Sequence, residues 1–433
     1  MERTNRAGRL LRELGRWDLL ALVINGIVGA GIFGLPAKVQ ALLGVYGLWA
    51  ILACAAIMGL VILCFAEVAS RFEQTGGPFV YARIAFGPDL GFLTGWVLWV
   101  ARLTGCCAIC NLLLGYAAYF GTGFDRGAGR AAIATAVIGG LCVLHIFGIR
   151  RSALFANMIT VAKLIPLCIF VGFGMAAIDP SGLLSAPPPA HPRFAEAVML
   201  LSFAFVGWES VVVTAGETRN PQRDLPFALL VGLACVAILY FGVQLVCMGT
   251  LPQLASSERP IVDAGRGFLG QGGATLIVVG AVVAMIGTLH GSMLTISRLP
   301  YAMADAGQMP RFLAIVLPRL RTPVWAILVS GAIVLLFTLS STFVYLLALS
   351  TISRLLVFAV SCAAVLKLRR MPEAPPARFR LPGGFVLPGA TLVLLAWMLS
   401  SCSWTEARDV AMLVSVGAIA YAIAGWRRRR SGA

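Results

Sequence analysis

The sequence predicts an all-α membrane protein with about twelve transmembrane helices, and three observations support this. The mean hydropathy of the 433-residue chain is +0.90, and only 12% of its residues are charged. A soluble chain carries roughly 25% charged residues. Apolar runs of about 20 residues, the length that crosses a bilayer as a helix, recur from one end of the chain to the other. A cluster of glycines interrupts the first of these runs.

The predicted spans are separated by short connections. They lie near residues 17–40, 44–69, 90–120, 131–148, 153–177, 194–216, 226–250, 274–304, 323–341, 343–366, 385–402 and 407–426. The longest are expected to be tilted or broken, since about 20 residues are enough to cross the membrane. Connections such as 178–193 and 251–273 are short and rich in proline and glycine, so no sizeable soluble domain is expected.

The basic residues give the expected orientation. With the N-terminus inside and about twelve spans, most lysines and arginines fall on the cytoplasmic side, notably in residues 3–16, 150–151, 367–380 and 427–430. This asymmetry follows the positive-inside rule and places both termini in the cytoplasm. Topology and contact with anionic membrane lipids then explain the net charge of +16. Nucleic-acid binding, the rival interpretation of a basic chain, has no soluble face to carry it.

The eleven cysteines are scattered through the predicted spans. Cys107 and Cys110 form a CxxC pattern, but it lies in the middle of a span with no histidine nearby. Small, buried, inert thiols are therefore expected in place of a metal or redox site. No metal, cofactor or catalytic residue is predicted.

The glycine cluster lies between Asn25 and Pro36 in the first span, which holds four glycines and a proline. Each interior glycine costs a helix roughly 1 kcal/mol relative to alanine, so the cluster predicts a break. Backbone can unwind at membrane depth only where protein or a water-filled cavity satisfies its polar groups. A broken membrane helix is for this reason a candidate binding site.

A second interruption, at 202–209, falls in the sixth predicted span. Spans 1 and 6 correspond if spans 1–5 and 6–10 are inverted repeats, and paired interruptions of this kind indicate a transporter's binding site near the middle of the membrane. The alternative is that these are ordinary packing glycines, which are common in membrane helices. The pairing, with Glu209 beside it, favours a site.

Several motifs carry a resemblance to a known family. They are Gly29-Ala30-Gly31-Ile32-Phe33, Phe65-Ala66-Glu67 followed by Gly76-Gly77-Pro78, Gly207-Trp208-Glu209 followed by Gly216-Glu217-Thr218-Arg219-Asn220-Pro221, and Tyr301-Ala302-Met303-Ala304-Asp305 followed by Thr322-Pro323. In order and spacing, the chain resembles the amino-acid permeases of the amino acid–polyamine–organocation superfamily over nearly its whole length. Ala30 stands where that family's first-span signature has serine or threonine, so any hydroxyl contact there is lost.

The resemblance implies a core of inverted repeats, each of five helices, with helices 1 and 6 broken and two further helices after the core. The chain then divides into a cytoplasmic segment 1–16, a transport core 17–368, the two last spans within 369–426 and a basic cytoplasmic tail 427–433. Amino-acid transport is the implied function, and a bacterial inner (plasma) membrane is the expected location.

The resemblance also implies how the backbone at the two breaks binds substrate. Unwound N–H groups at the start of a half-helix suit a carboxylate, and unwound carbonyls suit an ammonium group. The substrate-binding candidates at the breaks are Val28, Gly29, Ala30, Gly31, Phe203, Ala204, Val206 and Gly207. Phe203 matches the residue that closes over the substrate in the family, and its alternative role is lipid or core packing.

Lys163 and Glu209 are candidates for coupling the transport cycle to an ion or proton. Lys163 matches a fifth-span lysine of several sodium-independent relatives, whose ammonium takes the place of a sodium ion. A buried lysine can exchange a proton during the cycle. Its alternative role is a structural cation bonded to span 1 carbonyls, and the two roles are compatible. Glu209 is a buried carboxylate and a candidate proton sensor.

Charges and polar groups on three other spans complete the predicted site. Arg102 in span 3 and Arg354 in span 10 lie on spans that wall the side-chain pocket in the family. An arginine there would favour an anionic or strongly polar side chain and repel a cationic one. Each arginine has an alternative, an internal pair with Glu209 or snorkelling to the interface. Ser292 lies near the substrate side chain in relatives.

The expected function is secondary transport of an amino acid by alternating access, without sodium and with proton coupling or exchange. The alternatives within the superfamily are a polyamine or organic-cation transporter and an amino-acid exporter. A membrane enzyme would need a nucleophile and base, or metal ligands, at membrane depth. A channel would need a continuous polar pore or repeated filter loops. The spans show neither pattern.

Overall fold

The computed structural model describes residues 15–72, 77–121, 123–124, 126–147, 152–180, 189–213, 221–317 and 322–430. Helix makes up 82% of the structure, and no strand occurs among the described residues. The helices are α1 (Arg16–Ile27), α2 (Gly31–Leu43), α3 (Gly47–Ala69), α4 (Pro78–Phe86), α5 (Pro88–Ala117), α6 (Gly127–Phe147), α7 (Ser152–Ala176), α8 (Phe194–Ser202), α9 (Glu209–Val213), α10 (Pro221–Thr250), α11 (Pro260–Asp305), α12 (Val324–Ser340), α13 (Phe343–Leu368), α14 (Val386–Leu399) and α15 (Trp404–Arg430).

The all-helical prediction is confirmed, and the chain is a multi-pass membrane protein. Six helices in the described part of the chain are long and apolar enough to cross a membrane, or seven if the bent pair α14 and α15 counts as one span. The prediction of about twelve spans remains a prediction. The six include α2 and α3 together as one candidate, whereas α1, α8 and α9 are short pieces of interrupted segments and are too short to be counted.

The first predicted break lies between α1 and α2. Helix α1 ends at Ile27, and Val28 has extended backbone with φ −68° and ψ 94°. Helix α2 then begins at Gly31. The second break follows α8 as a short 3-10 turn at Phe203–Phe205, and the chain becomes extended at Val206.

The long helix α5 lies at the centre of the molecule and packs along α13 on one side and α11 on another. Helix α1 packs against α10, and α3 packs against α10 and α8. Helix α11 is interrupted at Gly270, whose φ of 67° is not helical, so that a short helical piece precedes a longer one. This packing surrounds both breaks with α5, α10, α11 and α13.

Some sequence predictions fall outside the described residues. These are the basic segment before residue 15, the pair Arg150–Arg151, Gly76 and the motif residues 216–220.

Candidate functional site

The break between α1 and α2 presents backbone donors at the start of a half-helix. The N–H of Val28 is used within α1, where it donates to Ile24 O at 2.9 Å, and that of Phe33 donates to Ala30 O at 3.1 Å. The first N–H groups of a helix have no acceptor within it. The donor end of α2 is therefore Ala30, Gly31 and Ile32, one step further along the chain than the sequence suggested.

The break after α8 presents carbonyl groups and a glycine in an unusual conformation. Phe203, Ala204 and Phe205 form the 3-10 turn, and Val206 is extended with φ −90° and ψ 168°. Gly207 has φ 115°, a region that side-chain-bearing residues rarely occupy. The backbone thus reverses its course here before α9 begins.

The two breaks lie against one another. A Cβ atom placed on Gly31 would come within 2.7 Å of Ala204 Cα and 2.8 Å of Ala204 Cβ. A Cβ atom on Gly26 would lie 2.8 Å from the carbonyl oxygen of Gly207. Only glycine permits backbones to approach this closely. The structure therefore brings the two predicted segments together at one place.

Tyr240 of α10 connects both breaks. Its hydroxyl lies 3.1 Å from Ile27 O and 3.1 Å from Ala204 O, and it also interacts with the backbone of Gly29. A hydroxyl has one proton, so both carbonyls share this donor in a three-centre hydrogen bond, and one side chain serves the ends of both unwound segments. Tyr240 is 1% exposed.

Lys163 of α7 reaches the first break from the other side. Its Nζ donates to Asn25 O at 2.6 Å, and the side chain is buried. Asn25 lies in the last turn of α1, where the carbonyls lack helical partners and the helix dipole is negative. The ammonium therefore holds the end of α1, which is the structural role considered from the sequence.

Glu209 is paired with Arg354. Arg354 Nη1 donates to Glu209 Oε1 at 2.6 Å, and both side chains are about nine-tenths buried, with 10% and 7% of their surface exposed. The other carboxylate oxygen, Oε2, accepts the N–H of Gly207 at 2.6 Å. The internal pair proposed from the sequence for either arginine thus involves Arg354 of α13, and it also fixes the backbone of the second break.

Arg102 of α5 has a different partner. Its Nη1 donates to the Thr295 hydroxyl of α11 at 3.1 Å, and Thr295 donates to Ser292 O at 2.8 Å. Ser292 also interacts with the Cys106 thiol, one turn from Arg102 on α5. Arg102 lies within electrostatic range of Glu209 and Arg354. The structure therefore places Arg102 and Ser292 together between α5 and α11.

Phe203 points from the second break toward α5 and α13. A Cβ atom on Gly105 would lie 3.6 Å from the Phe203 ring and 2.9 Å from Ser350 Oγ. Ser350 donates to Ala101 O at 2.6 Å, which ties α13 to α5 beside the ring. Phe203 is 7% exposed, and its ring lies beside Gly105 of α5.

Trp208 anchors the second break to the body of the protein. Its ring meets Phe65 of α3 edge to face, with centroids 5.0 Å apart, and lies 5.5 Å from Phe358 of α13. The side chain is completely buried. Large aromatic groups dominate such packing, so the start of α9 is held firmly next to Glu209.

Three contributing residues were not found from the sequence. Tyr240 resembles any aromatic residue of an apolar helix, and Thr295 resembles any small polar residue. Ile32 is apolar and contributes only its backbone N–H. The one sequence signal that could have found Thr295 is its spacing from Thr288 and Ser292, since positions i, i+4 and i+7 share a helix face.

Comparison with known proteins shows which families and proteins the chain is similar to. A family profile described as amino acid permease matches residues 14–425. The chain is 30% identical to an uncharacterized transporter of Mycobacterium tuberculosis over 96% of this chain and 91% of the relative. It is 28% identical to the serine/threonine exchanger SteT of Bacillus subtilis, over 89% and 92% respectively. It is 26% identical to the branched-chain amino acid permease BcaP of the same species, over 95% and 92%.

Proposed function

Because the chain belongs to the amino acid permease family, whose members are transporters and not enzymes, we propose that it moves an amino acid across the membrane by alternating access. The observation that carries this proposal is the contact between the two helix breaks. It brings the start of the half-helix α2 against the 3-10 turn that carries the carbonyls of the second break.

The two breaks recognise the groups that all amino acids share. The N–H groups of Ala30, Gly31 and Ile32 bind the α-carboxylate, helped by the positive end of the α2 dipole. The carbonyls of Phe203, Ala204 and Val206 bind the α-ammonium group. Val28, Gly29 and Gly207 shape the backbone around these groups, and Phe203 closes over the bound molecule. Recognition of this kind needs no charged side chain in contact with either α group.

Lys163 makes the cycle independent of sodium. Its ammonium is bonded to Asn25 O at 2.6 Å and already supplies a positive charge at the end of α1. A sodium ion bound beside it would meet like-charge repulsion at a poorly hydrated site. Lys163 and Glu209 are the groups through which a proton would act on the transport cycle. Transport is then either coupled to protons or an exchange of one amino acid for another.

The same proposal extends to the arrangement in the membrane. It counts α1 with α2 and α8 with α9 as one broken span each, leaves α4 out as a loop helix, and takes the other helices as one span each, which makes twelve. The division at 1–16, 17–368, 369–426 and 427–433 follows, with spans 1–5 and 6–10 as inverted repeats. Both termini are then cytoplasmic and the protein lies in a bacterial plasma membrane.

The charge of the site disfavours the alternative of a polyamine or organic-cation transporter. Among the described residues in contact with the breaks, Arg102, Arg354 and Lys163 are opposed by one carboxylate, Glu209. A cationic solute would enter this region against repulsion. Export and import differ only in the direction of net flux, which the solute gradients determine.

Uptake by purified protein in proteoliposomes tests the proposed function. Each of the twenty amino acids is offered as a radiolabelled solute in choline buffer, with empty liposomes as the control. We expect saturable uptake of at least one amino acid, recovered chemically unchanged from the lumen. Conversion of the solute to a product would indicate an enzyme, and flux that does not saturate would indicate a channel. Either result would contradict the proposal.

A further inference from the structure

A row of polar side chains runs between α5 and α11, away from the helix breaks. We call it the polar seam, and it consists of Arg102, Cys106, Thr288, Ser292 and Thr295. Its three α11 residues follow the spacing i, i+4 and i+7, which places them on one helix face. The seam begins at the first break, because a Cβ atom on Gly29 would lie 3.5 Å from Thr288 Oγ1.

The other end of the polar seam is Arg102. A rise of about 1.5 Å per residue separates Thr288 and Thr295 by roughly 10 Å along α11. The Arg102 guanidinium is bonded to the Thr295 hydroxyl at this end. On α5, Gly105 and Cys106 continue from Arg102 toward Phe203 of the second break. The polar seam therefore leads from both breaks to the Arg102 guanidinium.

The charges at this end do not balance among the residues that the structure describes. The Glu209 carboxylate forms an ion pair with Arg354 at 2.6 Å and accepts a hydrogen bond from the N–H of Gly207. Arg102 donates to a neutral hydroxyl, and it carries five N–H donors in a fixed planar fork. One positive charge thus remains, and its donors match a carboxylate, which a guanidinium can bind through two parallel hydrogen bonds.

We infer that the substrate is an acidic amino acid, whose side-chain carboxylate binds Arg102 at the end of the polar seam. This rests on the proposed function, since the two breaks must first position the α-carboxylate and α-ammonium groups. Ser292 and Thr288 then lie beside the aliphatic part of the side chain and offer hydroxyl groups to it. A lysine or arginine side chain in the same place would bring a second cation to Arg102.

Uptake of acids and their amides by proteoliposomes tests this inference. Glutamate and glutamine have nearly the same shape and differ in charge, as do aspartate and asparagine, and lysine serves as the cationic arm. For the wild-type protein we expect at least one acid to be taken up ten or more times faster than its amide. We expect lysine uptake to equal that of empty liposomes.

Three variants separate a role in selectivity from a structural role. Arg102→Gln should bring the acid-to-amide ratio to one or below while amide uptake persists, and Arg102→Lys should keep the ratio above one. Arg298→Gln removes an exposed arginine from α11 and should leave the wild-type ratio unchanged. If Arg102→Gln does not fold, the acid-to-amide ratios of the wild type and of Arg102→Lys test the inference instead.

Each contrary result has a distinct meaning. Equal or faster uptake of the amides, or uptake of lysine, by the wild type would overturn the assignment of an acidic substrate and leave amino-acid transport intact. Equal loss of acid and amide uptake in a folded Arg102→Gln protein would show a purely structural arginine. Failure to take up any amino acid would count against the proposed function itself.

Discussion

Glu209 Oε1 accepts a hydrogen bond from Arg354 Nη1 at 2.6 Å, although the two residues are 145 positions apart in the chain. The pair joins the start of α9 to the middle of α13, and the same carboxylate holds the N–H of Gly207 in the second break. Charges buried in a membrane protein are costly unless they are paired. We therefore expect α9 and α13 to move together during the transport cycle, with the pair intact.

Arg354→Gln tests this ion pair. The substitution leaves the Glu209 carboxylate buried without its partner, which costs about 3–5 kcal/mol in comparable cases. We expect a clear fall in thermal stability, measured by fluorescence-detected size-exclusion chromatography after heating. The double variant Glu209→Gln with Arg354→Gln removes both charges and should recover part of that loss. A double variant no more stable than Arg354→Gln alone would contradict the pairing.

Gly31→Val tests the contact between the two breaks. The added Cβ would meet Ala204 Cα at 2.7 Å, so the breaks must separate, with a cost of about 1–3 kcal/mol for overpacking. We expect binding and uptake to be lost while the protein still reaches the membrane. Gly139→Val on α6 is the matched control, since its Cβ would meet no atom within 4 Å. Wild-type affinity in Gly31→Val would refute the assignment of this site.

Tyr240→Phe tests the bridge from α10 to both breaks. Removing the hydroxyl leaves Ile27 O and Ala204 O without this donor, and an unsatisfied buried group costs about 1–3 kcal/mol. We expect uptake to fall roughly tenfold or more, with normal amounts of protein in the membrane. Tyr46→Phe, at an exposed tyrosine of the same chain, should behave as wild type. Unchanged uptake in Tyr240→Phe would remove Tyr240 from the site.

Lys163→Ala tests the origin of sodium independence. Wild-type uptake should be the same in sodium and choline buffers, because the ammonium already occupies the end of α1. The variant should lose transport to a much greater extent than it loses membrane expression. Lys38→Ala changes an exposed lysine of α2 and serves as the control. A strong sodium requirement in the wild type would show that the ammonium does not take the place of the ion.

The sequence predicted the two helix breaks better than the contacts around them. Glycines in an apolar run reveal helix breaks because their cost in a helix is intrinsic and local. The choice between Arg102 and Arg354 as the partner of Glu209 depends instead on the register of three distant helices. No local pattern encodes that register, so the sequence alone leaves both arginines as possible partners of Glu209.

The sequence also predicted only some of the backbone N–H donors at the first break. The glycine cluster indicated N–H donors at Val28–Gly31. The N–H of Val28 instead bonds to Ile24 O within α1, and the N–H of Ile32 lies in the first turn of α2, where it has no helical acceptor. Tyr240 gave no signal, since a buried tyrosine in an apolar helix has the same composition whether its hydroxyl is used or not. The breaks also leave half-helices that are shorter than the roughly 20 residues of a single span.

Competition by substrate analogues tests whether the two breaks read both α groups. The transported amino acid is compared with its decarboxylated amine and with its deaminated acid, each displacing the labelled amino acid from purified protein. Binding at both breaks predicts that each analogue binds at least a hundredfold more weakly, a difference of about 2.8 kcal/mol. If either analogue competed as well as the amino acid, the corresponding break would not contact the substrate, and this description of the site would be wrong.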